Sequence, residues 1–228
     1  MAIQLETCEH GIIVRFRDGA GSIQSKIVDP KDVADALASR SKLDTGLLPR
    51  NTRYYARLSN HQLIVLELPE HICRIDFSGA ETPFDIPMPH LVFFIKFVSD
   101  VGSAPQYKVV HTSLFAAYGP VLDSSTMLYR FPFGNVFPGW QVCWGSLSPI
   151  IVPSLAELAI VPAAILNSKF NSDLSFGNFN PFPDPEVPGG QISRSEHLLR
   201  YLHGKPEFNY GILMQRATFG SILKDFTA

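Results

Sequence analysis

The sequence predicts an α+β fold, an antiparallel β-meander packed on helices, and three features lead to it. From Thr52 to Ser113 strand-like runs follow one another across short gaps, the spacing of hairpin connections and too close for crossover helices. Leu91-Val92-Phe93-Phe94-Ile95 is apolar at every position, as a strand covered on both faces requires. Ser154-Leu155-Ala156-Glu157 and Ser193-Arg194-Ser195-Glu196 each set a serine three residues ahead of a glutamate, the capping-box spacing that opens a helix able to cover a sheet. With 228 residues, 46% hydrophobic and 18% charged, the chain can build one large domain, or one domain with an appendage, around a substantial core.

Taken in order, Gly11 to Arg17 and Ser22 to Val28 read as strands joined through Asp18-Gly19-Ala20-Gly21, a hairpin. Asp29-Pro30 opens a helix to about Arg40, with Asp29 as N-cap and proline in the first turn. Residues 1–50 are thus an N-terminal addition of hairpin plus helix. The core, residues 51–176, holds strands over Arg53 to Ser59, His61 to Leu68, Ile72 to Phe77, Pro89 to Val98 and Tyr107 to Ser113. Cys73, Ile75 and Phe77 alternate with Ile72, Arg74 and Asp76, which turns Cys73 toward a core. His90 and His111, beside or within strands, read as hydrogen-bonded structural histidines. A helix follows from Ser154 and is interrupted at Pro162. Gly177 to Gly190 holds four prolines, so residues 177–228 are a proline-rich loop and a C-terminal helical extension. Its capped helix carries Leu198, Leu199 and Leu202 on one side and stops at Gly204.

Composition removes several function classes. A net charge of -2 with no run of Lys or Arg gives no electrostatic footprint for nucleic acid. Leu155 to Leu166, the longest apolar stretch, contains Glu157 and Pro162 and is too short to span a bilayer, and the first six residues lack the pattern of a secretory signal. A soluble cytoplasmic protein is the expectation. Cys8, Cys73 and Cys143 are odd in number and widely spaced, which argues against a disulfide framework and a structural zinc site. No Gly-rich phosphate loop is present. Neither cofactor nor metal is expected.

The segment with chemical content is Asn135-Val136-Phe137-Pro138-Gly139-Trp140-Gln141-Val142-Cys143. A turn at Pro138 and Gly139 folds a side-chain amide back toward a thiol, the pair acyl transfer needs: a nucleophile and a donor for the oxyanion. Read without Asn135, Cys143 is a small buried hydrophobe, and read without Cys143, Asn135 is a turn residue after Gly134. Trp140 and Trp144 bracket the cysteine, one expected in the core and the other at a protein interface.

The spacing and residue types resemble the active-site loop of ubiquitin-conjugating enzymes, in which an Asn-Val-Tyr/Phe-Pro-type loop ends in Val/Ile-Cys. Cys143-Trp144-Gly145 and Asn167-Ser168-Lys169-Phe170-Asn171-Ser172-Asp173 make the chain similar to a prokaryotic branch, the PRTRC system protein B family, over roughly residues 60 to 175. Phe133-Gly134 stands where eukaryotic members carry His-Pro, and the backbone freedom of Gly134 is the expected compensation.

The resemblance implies a ubiquitin-conjugating-like fold and a ubiquitin-like protein carried as a thioester on Cys143. In it Asn135 holds the oxyanion and Asp173 lies near the incoming amine; Asp173 reads equally as a turn residue, as does Asn171. A ThiF-type adenylating enzyme upstream and an opposing JAB-type peptidase are the implied partners. Two other readings stay open: a catalytically idle adaptor of the same fold, suggested by the missing His-Pro, and a cysteine hydrolase pairing Cys143 with His197 or His203, which a solvated helix face explains more simply.

Overall fold

The computed structural model describes residues 3–8, 11–17, 21–33, 46–58, 60–100, 106–145, 149–174 and 177–227. Contacts divide the chain into two units, residues 1–45 and 46–228. The fold is mixed α+β, and every pairing between named strands is antiparallel.

The first unit holds strands β1 (Ile3–Cys8), β2 (Gly11–Arg17) and β3 (Ile23–Val28) in the order β1-β2-β3. The β2–β3 hairpin matches the expectation from sequence; β1 is an addition to it, and turn residues 18–20 lie outside the described residues. Asp29 caps a helical turn at residues 30–33, its Oδ1 accepting the Lys31 N–H at 2.7 Å and its carbonyl the Val33 N–H at 3.2 Å. The rest of the helix expected to Arg40 lies outside the described residues.

The second unit is built on one large sheet. Its strands are β4 (Thr52–Arg57), β5 (Gln62–Leu68), β8 (His90–Asp100), β9 (Gln106–Ala117), β10 (Met127–Arg130) and β14 (Gln215–Thr218), in the order β14-β10-β9-β8-β5-β4. Between β5 and β8 the chain makes a separate hairpin, β6 (His71–Ile75) with β7 (Phe84–Met88), so the meander carries an insertion. Short β11 (Ile151–Val152) pairs with the start of β9, and β12 (Phe182–Pro183) pairs with β13 (Gln191–Ile192). The helices are α1 (Ile160–Leu166), which continues a 3₁₀ turn at Leu155–Ala159, α2 (Ser195–Leu202) and α3 (Phe219–Thr227).

Two buried clusters explain the all-apolar run in β8. Leu91, Phe93 and Ile95 share one cluster with Leu158, Val161 and Ile165 around α1, Leu198, Leu199 and Leu202 of α2, and Cys73, Ile75, Ile86 and Met88 of the inserted hairpin. Val92 and Phe94 belong to the other, with Phe219, Ile222 and Phe226 of α3. Each of the fully buried phenylalanines is worth about 1.5–3 kcal/mol relative to exposure. Residues 177–227 contribute α2, α3 and β14 to this same unit.

The helix starts differ from the sequence reading. Ser154 Oγ donates to Glu157 Oε1 at 3.0 Å and caps no backbone N–H, which leaves the segment in a 3₁₀ turn. Pro162 does not interrupt the helix: it sits third in α1, in the first turn, where no intrahelical N–H is required. The second capping box is absent as well. Arg194, not Ser193, precedes α2, Ser195 is buried, and Glu196 bonds Arg200 one turn on at 2.8 Å.

Candidate functional site

The 135–143 segment folds back on itself, as its Pro-Gly pair predicts. The Phe137 carbonyl accepts the Trp140 N–H at 2.7 Å, and Phe137 N–H donates to the Gln141 carbonyl at 2.8 Å. Pro138 and Gly139 occupy the centre of the turn, and Trp140 takes a left-handed φ of 59°, the arrangement of a three-residue hairpin loop. Val136 bridges Val142, and one step outward Cys143 N–H donates to the Asn135 carbonyl at 2.8 Å. Asn135 and Cys143 therefore stand directly opposite one another.

This hairpin fills a gap along the free side of β9. β10 pairs with Phe115 and Ala116 there, and β11 with Tyr107 and Lys108. Between them Leu114 N–H donates to the Trp140 carbonyl at 3.1 Å and Val142 N–H to the Thr112 carbonyl at 2.8 Å. After Val142 the chain leaves β9 and returns at Ile150, whose carbonyl accepts the Val109 N–H at 2.9 Å. Cys143 is the first residue past that departure, half-buried just outside the sheet.

Behind the hairpin lies the segment after α1. The Asn135 side-chain Nδ2 donates to the Lys169 carbonyl at 3.0 Å and to Ser168 Oγ at 3.2 Å, while Ser168 Oγ donates to the Ile165 carbonyl at 2.6 Å. Both amide hydrogens of Asn135 are thus engaged. Gly134 meets the same segment at closer range: a Cβ there would stand 2.3 Å from the Asn171 carbonyl oxygen. The positive φ falls on Asn135, at 63°, and not on Gly134. Gly134 is therefore required for close approach to Asn171, and not for the backbone freedom expected of it.

The three cysteines occupy distinct environments. Cys73 is 8% exposed, and burial pushes its thiol up to about 11, so it stays protonated and inert at neutral pH. Cys143 is accessible in part, and Cys8 belongs to the first unit. Both tryptophans are half-buried against the core. Phe137, at the hairpin tip, is 42% exposed.

Asp173 is exposed, and its N–H donates to Asn171 Oδ1 at 3.0 Å, which makes an Asx turn of this stretch. His203 is exposed, as a solvated face requires, while its ring stands edge-on to Phe84 at 5.8 Å and accepts the Asp85 N–H on Nδ1 at 3.0 Å. His197 lines a groove with Asp184, Ile192 and Tyr201. His111 Nε2 is 2.9 Å from Ser113 Oγ, the hydrogen-bonded placement expected, whereas His90 is buried with Nε2 3.6 Å from Glu67 and without a hydrogen-bond partner among the described residues. Among the described residues no group of three His, Cys, Asp or Glu gathers to hold a metal, and no helix is long and apolar enough to cross a membrane.

Ser168 and the Lys169 carbonyl, given no individual role within the 167–173 segment, and Arg216, whose guanidinium lies 3.7 Å from the centre of the Trp140 ring, belong to the site as well. Proximity of Ser168-Lys169 to Asn135 carries no sequence signal beyond polarity after an apolar helix, and Arg216 carries none. No protein-family model, curated protein or solved structure matches this chain.

Proposed function

We propose that the chain is a ubiquitin-conjugating-like enzyme of the PRTRC system protein B type, carrying a ubiquitin-like protein as a thioester on Cys143 and passing it to an amine. The observation that carries this reading is the hairpin, which sets Asn135 and a half-exposed Cys143 opposite one another at the rim of an antiparallel sheet, with α1 and the 168–171 segment behind them. The Cys143 thiolate attacks the thioester of an upstream ThiF-type adenylating enzyme; the new S–C bond forms as that enzyme's thiolate leaves. An amine then attacks the same carbonyl, the C–N bond forms, Cys143 departs as thiolate, and the amine proton passes to solvent or to a nearby carboxylate. Asp173 is our candidate for that carboxylate. A JAB-type peptidase would reverse the modification.

Asn135 performs two jobs in turn. At rest its amide holds the 168–169 segment; during transfer one of the two hydrogen bonds, the longer one to Ser168, is exchanged for the oxyanion. The engagement of both amide hydrogens also favours a second reading, an adaptor in which Asn135 shapes the loop and no acyl group is carried. Incubation with a matched adenylating enzyme, ATP and its ubiquitin-like protein separates the two on a non-reducing gel. A covalent species sensitive to reductant is the expected result, and binding without one supports the adaptor.

A further inference from the structure

Trp140 has φ 59°, where glycine or asparagine is usual and a bulky side chain is an outlier. The turn cannot hold it there unaided. The Arg216 guanidinium lies 3.7 Å from the centre of the indole, the Phe115 ring packs at 6.1 Å, and the Trp140 carbonyl accepts the Leu114 N–H at 3.1 Å. Arg216 comes from β14, the edge strand of the sheet, and its Nε is enclosed without a hydrogen-bond partner among the described residues. A guanidinium stacks flat on an aromatic face and gains most where water is excluded, which lysine cannot reproduce.

We propose that Arg216 is a positioning residue for Cys143: its stack on Trp140 holds the left-handed turn residue and so keeps the Asn135–Cys143 hairpin in register. The proposal rests on Cys143 being the acyl carrier. Its physical content is a chain of contacts. The left-handed Trp140 lets Phe137 pair with Gln141; that pairing sets Val136 against Val142, and the next step outward is the bond from Cys143 N–H to the Asn135 carbonyl. Release of the indole lets residue 140 relax toward right-handed conformations, and the register loosens at its outer end.

Four proteins test it: wild type, Arg216→Lys, Arg216→Ala, and Arg216→Ala combined with Trp140→Gly. Glycine adopts the left-handed conformation without a clamp, so the double variant should regain what Arg216→Ala loses. Discharge of the thioester to free lysine is expected to slow about tenfold in Arg216→Ala, less in Arg216→Lys, and to return to within about threefold of wild type in the double variant. Alkylation of Cys143 by iodoacetamide, read by peptide mass, needs no partner protein and is expected to rise about fivefold in Arg216→Ala as the thiol loses its fixed half-buried place. It should fall back in the double variant. If wild type forms no thioester, the alkylation series still decides the clamp, and the acyl-carrier reading alone fails. Unchanged alkylation in Arg216→Ala overturns the proposal. So does a double variant that stays as impaired as the single while thermal melts show both folded.

Discussion

Replacing Gly134 by alanine probes the contact that ties the candidate loop to the segment behind it. The added Cβ would stand 2.3 Å from the Asn171 carbonyl oxygen and 3.5 Å from its carbon, so a backbone atom blocks it, not the end of a flexible side chain. Reaching ordinary contact requires a retreat of about 1 Å. Overpacking of this kind costs about 1–3 kcal/mol. The displaced segment also carries the acceptors of both Asn135 side-chain hydrogen bonds, at 3.0 and 3.2 Å, and losing the longer one adds about 1 kcal/mol. A total near 3 kcal/mol corresponds to a fall in Tm of about 6–12 °C for a chain of this size. Gly139→Ala is the internal control, since nothing lies within 4 Å of its Cβ position and its φ is not positive; it should melt within about 2 °C of wild type. Thermal unfolding followed by circular dichroism measures both. A Gly134→Ala protein that melts with wild type would refute the packing argument.

Three further outcomes are expected. Asn135→Ala confounds loss of the amide with a left-handed φ of 63° that alanine tolerates poorly, so Asn135→Gly is the cleaner variant; it should stay folded and slow discharge of the thioester on the order of a hundredfold, more than it slows loading of Cys143, as stopped-flow or quenched gels would show. Cys73, held protonated to about 11 by burial, should resist iodoacetamide in the folded protein; because its folded value is raised, its contribution to stability is complete below the unfolded value near 8.5 and is lost as pH rises toward about 11, a loss that Cys73→Ala should remove from urea midpoints measured across that window without loss of transfer. His111 is shifted the other way, lowered chiefly by burial and then by Lys96, so it stabilises the fold above the unfolded value near 6.5 and loses that contribution as pH falls; His111→Gln should flatten the decline in urea midpoint between pH 7 and pH 5.

The sheet was legible where residue alternation or uniform apolarity carried it. β5, β8 and β9, and the inward turn of Cys73, follow from period-two patterns that burial on one or both faces imposes. β10 and β14 were not, because each has only four residues, too little pattern to distinguish a strand from a loop. At Pro162 a place in the first turn leaves no N–H to be missed, and at Ser193 the local capping signal is overridden, Arg194 preceding α2 and Ser195 lying buried at its start. Within the site, the fold-back of Asn135 onto Cys143 was readable because Pro138-Gly139 encodes a turn locally. The partners of Asn135, and the arginine over Trp140, are joined only by tertiary structure, 33 residues away in the case of Ser168. Spacing cannot encode contacts of that range.

The central claim is that Cys143 carries the acyl group, and intact-mass analysis of wild type and Cys143→Ser after charging with the ubiquitin-like protein tests it most directly. A thioester exchanges with added thiol whereas an ester does not, so the bond reports the attacking atom. The account predicts that wild type gains one ubiquitin-like protein, lost on adding dithiothreitol, and that Cys143→Ser gains little, or forms an adduct that survives dithiothreitol and yields to base. A thiol-labile adduct on Cys143→Ser would place the nucleophile at another cysteine and contradict the account.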